Sequence, residues 1–80
     1  MKLPRDISGH DLAKALRRRG YQITRQSGSH LRLSTTEGGT HHITIPAHAS
    51  LRIGTLAAII NEVAGHFKLN REDIVKDLFS

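Results

Sequence analysis

The chain has 80 residues, with twelve Lys and Arg against seven Asp and Glu, six histidines and no cysteine, for a formal charge of +5 with the histidines neutral. Disulfide staples and thiolate metal sites are excluded, and so is a deep cavity for a large cofactor, because a chain this short buries only about 60–65% of its unfolded surface. The longest apolar stretch, Leu56 to Ile60, is far too short to cross a bilayer, and no secretory leader can be read, so the expectation is one cytoplasmic domain over residues 1–80 with no membrane contact.

The charge is unevenly spread. Residues 14–32 carry Lys14, Arg17, Arg18, Arg19, Arg25 and Arg32 and no acid, whereas Glu62, Glu72, Asp73 and Asp77 fall in the last twenty residues. A basic half of this kind favours a polyanion, with nucleic acid the default candidate. Within it, Ser8 to Asp11 reads as a helix start, with Ser8 as cap, Asp11 as a short reciprocal acid, and Ile7 and Leu12 as a hydrophobic staple. Leu12, Ala15 and Leu16 have helical spacing, and Gly20 ends the helix as a left-handed residue behind cations that suit the dipole.

Three strands follow. Tyr21 to Gln26 alternates, with Tyr21 and Ile23 expected on one side, and Ser27-Gly28-Ser29 turns the chain. His30 to Thr35 alternates again. Leu31 and Leu33 point one way, so His30 and Arg32 point the other. Thr36 to Gly39 makes a hairpin loop, and His41 to Pro46 turns Ile43 and Ile45 inward with His42 and Thr44 outward. Pro46 ends this strand or lies on an edge, since it cannot donate to a ladder.

A second helix is expected to begin near Arg52 to Thr55, with Thr55 as its cap, Leu56, Ile59, Ile60 and Val63 as its apolar face, and Gly65 closing it. A short last helix, about residues 70–79, follows Asn70 as cap with Asp73 at the reciprocal position, and Ile74, Leu78 and Phe79 dock it. The order α-β-β-β-α-α predicts an α+β fold: a three-stranded antiparallel sheet with helices on its leucine and isoleucine face. The other face, with His30, Arg32, His42 and Thr44, is left bare. This is also the layout of double-stranded-RNA-binding domains.

The bare face invites phosphodiester chemistry. RNA cleavage needs a base for the 2′-hydroxyl proton, an acid for the leaving 5′-oxygen, and cations for the phosphate. Histidine does either proton job because its ordinary pKa of about 6.5 lies near working pH. His30 is the candidate for one role, and His48 for a second role or a substrate contact. Each also reads as an ordinary polar surface residue. Of Arg17, Arg18 and Arg19, at most two can track one backbone, because successive residues fan around a helical turn. Gly54-Thr55 offers bare amides and a hydroxyl to a phosphate. A metal site at His30, His42 and His48 is a third alternative.

Four segments in order resemble the HicA toxin family of bacterial toxin–antitoxin pairs, also called YcfA-like proteins: Arg17-Arg18-Arg19-Gly20-Tyr21, Gly28-Ser29-His30, Ile45-Pro46-Ala47-His48, and Gly54-Thr55-Leu56 with Ile59-Ile60. The resemblance covers about residues 5–64. It implies a double-stranded-RNA-binding-like fold and a metal-independent mRNA-cleaving toxin with one essential histidine, which matches His30, and no cofactor. Arg17, Arg18, Arg19, Ser29, Arg32, His48 and Thr55 are then the RNA-binding candidates. The implied partner is a HicB-like antitoxin covering the active face. The alternative is a non-catalytic RNA-binding module of the same fold. One departure is the tail after Ala64-Gly65, where His66 to Leu69 precede the last helix, as in a branch of the family.

Overall fold

A computed structural model describes residues 3–80. The elements run α1 (Gly9–Leu16), a single 3-10 turn (Arg17–Arg19), β1 (Gln22–Ser27), β2 (His30–Thr35), β3 (His41–Pro46), α2 (Ile53–Phe67) and α3 (Arg71–Phe79). The strands form one antiparallel sheet in the order β1-β2-β3, so the expected α+β fold and its element order are observed.

Local chemistry explains most boundaries. Ser8 Oγ accepts from the Asp11 N–H at 3.0 Å while the Asp11 carboxylate accepts from the Ser8 N–H at 3.4 Å, the full reciprocal cap. Gly20 then takes φ +79°, a left-handed conformation open to glycine, and its N–H returns to the Arg17 carbonyl. Gly28 takes φ +56° at the first of two turn residues, the pattern of a type II′ hairpin whose twist matches the flanking strands. Leu31 and Leu33 of β2 and Ile43 and Ile45 of β3 alternate into the core, as read from the sequence. They meet Leu12 and Leu16 of α1 and Leu56, Ile60 and Val63 of α2.

Four expectations need correction. First, β1 starts at Gln22 and not at Tyr21; Ile23 takes the expected side, opposite Leu33, but the strand is exposed along its length. Tyr21 is fully buried, but Ile23 is 46% exposed, because β1 is an edge strand that the helices do not cover. Second, α2 begins at Ile53 behind Arg52, which makes no side-chain cap bond, so Thr55 is the third helical residue and not the cap. Third, Gly65 does not close α2. The helix runs on to Phe67, and Lys68 takes the left-handed position at φ +57°. The N–H of Leu69 returns to the Ala64 carbonyl and that of Lys68 to Gly65, the paired bonds of a Schellman end. Fourth, only half of the expected cap on α3 is made. Asn70 Oδ1 accepts from the Asp73 N–H at 2.8 Å, with no bond in return.

The tail is part of the core. Ile74, Val75 and Leu78 of α3 are buried, and Phe67 meets Tyr21 edge to face at 6.3 Å between centroids. Around it, the Tyr21 hydroxyl shares a 2.7 Å hydrogen bond with His41 Nδ1, His41 Nε2 lies 3.3 Å from Glu62, and His41 stacks on His66 at 4.5 Å. Burial pushes the Tyr21 hydroxyl up to about 12, with the Glu62 carboxylate adding to the effect. This cluster fastens the His41 end of the sheet to α2.

Candidate functional site

The central strand β2 sets the geometry of the bare face. Pairing aligns His30 with Pro46, Arg32 with Thr44 and Ser34 with His42 on one side, and His30 with Ser27, Arg32 with Arg25 and Ser34 with Gln22 on the other. Directly opposed residues share a face, so these side chains stand together away from the helices. None of the three strands contains an Asp or Glu.

The register holds one residue that strand alternation from the sequence misses. Simple parity from Tyr21 puts Arg25 on the helix side. A bulge between Ile23 and Arg25 inserts an extra residue, which swings Arg25 onto the bare face directly opposite Arg32. Two guanidinium groups on adjacent strands repel unless an anion joins them, and no carboxylate on the strands does so. The extra residue is Thr24, whose Oγ1 donates to the Arg32 carbonyl at 3.3 Å.

Arg25, Ser27, His30, Arg32 and Thr44 line an open groove of about 190 Å³. Among the described residues, the His30 side chain makes no hydrogen bond or ion pair. His41, His42 and His66 are all held: His41 by Tyr21 and Glu62, His42 by Ser34, and His66 by the Glu37 carbonyl at 2.9 Å. His30 is thus an exposed, uncommitted imidazole beside two unneutralised arginines.

Backbone bonds fix the groove's open end. Ala47 N–H donates to the Ser29 carbonyl at 2.6 Å, and Gly9 N–H donates to the His48 carbonyl at 3.0 Å. Ser29 and the exposed His48 are thereby brought to the His30 end of the sheet, beside the start of α1. Other candidates are not brought there. Arg19 pairs with Asp77 and lies 5.0 Å over the Phe67 ring, and Arg18 donates to the Asp77 carbonyl at 2.9 Å. Arg17 alone of the three lines a second surface groove, with Gly20, Gln22 and Ile23. Thr55 belongs to the helical layer, on the other side of the sheet from His30. The triple-histidine metal site does not assemble: His30 and His42 stand four ladder positions apart, about 13 Å at the rise of a strand. Among the described residues no group of three His, Cys, Asp or Glu is placed to hold a metal.

Residues 9–65 match the family model described as the HicA toxin of bacterial toxin-antitoxin. The chain belongs to the HicA toxin family. Membership gives it the toxin role of a toxin–antitoxin pair and implies an antitoxin partner. The matched span includes α1, the whole sheet and α2 up to Gly65, so the His30 groove lies wholly inside it, whereas α3 lies outside. Comparisons with curated proteins and with solved structures returned no match. Among the described residues no helix is long and apolar enough to cross a membrane.

Proposed function

We propose that this HicA-family toxin is an endoribonuclease acting on mRNA, with His30 as its general acid or base. The observation that supports it is the free His30 imidazole in a groove with Arg25 and Arg32 on an acid-free sheet face. Paired guanidiniums suit the non-bridging oxygens of a phosphodiester, which they can hold through several N–H donors at once. With the phosphate so held, the 2′-hydroxyl attacks phosphorus, its proton passes to a base, and the 5′-oxygen leaves with a proton from an acid. The products are a 2′,3′-cyclic phosphate and a 5′-hydroxyl. His30 serves one of the two transfers, and His48, exposed at the same end, is the candidate for the other. Proton transfer from one positioned group contributes about 10²–10⁴-fold, which makes a slow nuclease. The partner is a HicB-like antitoxin that covers this face. It must offer acidic groups where RNA offers phosphates, because the face itself supplies none.

The test is expression of the parent and of His30→Ala in bacterial cells. Growth arrest with loss of mRNA is expected from the parent alone. Arrest of equal depth from both would end the proposal, and arrest without RNA loss would favour a binding module that blocks translation.

A further inference from the structure

Another groove, larger than the His30 groove and distinct from that of Arg17, adjoins the His30 groove on the bare face. It has about 500 Å³ and is lined by Gln22, Thr24, Arg32, Ser34, Thr40 and His42 among others. Arg32 belongs to both grooves, so whatever lies in one is joined to the other at that guanidinium. The larger groove differs in chemistry. Apart from Arg32 at its margin and the imidazole of His42, its polar groups are neutral hydroxyls and one carboxamide. Such groups match the neutral donors and acceptors of a base edge better than they match a phosphate.

His42 is the side chain that gives the groove an orientation. Its Nδ1 is hydrogen-bonded to Ser34 Oγ on the neighbouring strand, while the ring remains exposed. A ring tethered in this way is a platform on which an unpaired base can stack. Gln22, the Cα partner of Ser34, stands on the same face, and its carboxamide can both donate and accept along one base edge. His42 is too far from His30 to share its phosphate, at four ladder positions. It therefore meets a neighbouring part of the strand.

We infer that this groove is a subsite for one unpaired nucleobase of the RNA, stacked on His42 and read by Gln22 and Ser34, next to the phosphate held at Arg25 and Arg32. The inference rests on the RNA-cleaving role proposed above and makes Gln22, Ser34 and His42 determinants of sequence preference.

The test is amide NMR of the full chain with a 2′-fluoro pentanucleotide, which lacks the attacking hydroxyl and stays intact. The same pentamer is then made abasic at each position in turn. Resonances of Gln22, Ser34 and His42 are expected to shift with the intact pentamer and to lose that shift when one particular base is missing, while Arg25 and Arg32 respond in every case. Gln22→Ala, at an exposed position, should weaken the intact pentamer about tenfold and leave the corresponding abasic one unchanged. If the shifts at Gln22, Ser34 and His42 survive every base removal, or never occur while Arg25 and Arg32 respond, the subsite is refuted and the nuclease reading stands. If neither groove responds, both fail.

Discussion

Alanine at position 9 should destabilise the protein although it is the better helix former. Gly9 is buried at the first position of α1, where the helix crosses the end of β3. A Cβ built there meets the Pro46 carbonyl oxygen at 2.0 Å and the Ala47 Cα at 3.0 Å. Both are backbone atoms and cannot rotate aside, so the helix start and the Pro46 segment must separate. The Gly9 N–H bond to the His48 carbonyl, 3.0 Å long, would be stretched or lost with them. Overpacking of this kind costs about 1–3 kcal/mol, and a lost hydrogen bond about 1 more. The helix-propensity gain returns at most about 1 kcal/mol, and less at a helix end. The net expectation is a loss of about 1–4 kcal/mol, a large share of the stability of a small domain. Urea unfolding reads it as a lower midpoint at unchanged slope. Gly65→Ala is the internal control. Gly65 lies inside α2 with no atom within 4 Å of its would-be Cβ, so alanine there should add about 0.5–1 kcal/mol. A Gly9→Ala protein as stable as the parent would refute the packing argument. A Gly65→Ala protein less stable than the parent would refute the placement of the α2 end.

Tyr21 is the only tyrosine and there is no tryptophan, so phenolate absorbance reports one group. Its midpoint should lie near pH 12 in the folded protein and near 10 in denaturant. Because the folded pKa is the higher, this stability is fully present below pH 10 and is lost as pH rises toward 12, about 2–3 kcal/mol in all; coincident midpoints would contradict the burial. Ile74→Ala should cost about 2–4 kcal/mol by opening a cavity under α3, although Ile74 lies outside the span matched by the family model; a neutral effect in urea would show that α3 is not part of the core. Arg32→Ala should lower the salt slope of RNA affinity by about 1, whereas Arg19→Ala, already paired with Asp77, should leave it unchanged; equal slopes for the two would refute the placement of the phosphate contacts.

Features set by one local rule are legible in the sequence. The reciprocal cap at Ser8, the glycine turn at Gly20 and the alternation of β2 and β3 depend on neighbours in the chain, and each was legible. So was the placement of His30 with Arg32, which follows from strand parity alone. What was hidden depends on contacts between distant segments. Nothing in the residues around Thr24 announces a bulge, yet it decides that Arg25 joins the site. Arg18 and Arg19 read as free cations until α3 folds back and Asp77 takes them up. Gly65 carried a strong stop signal, but burial of Phe67 against Tyr21 and Arg19 draws the helix two residues further and makes Lys68 accept the left-handed conformation.

His30 is proposed to carry out chemistry on RNA and not merely to decorate a basic face. The most direct measurement is cleavage of an end-labelled single-stranded RNA by purified parent and purified His30→Ala, each folded and each bound to RNA with similar affinity. The parent is expected to yield fragments with 2′,3′-cyclic phosphate ends, and His30→Ala none above background. Cleavage by both proteins at comparable rates would contradict it.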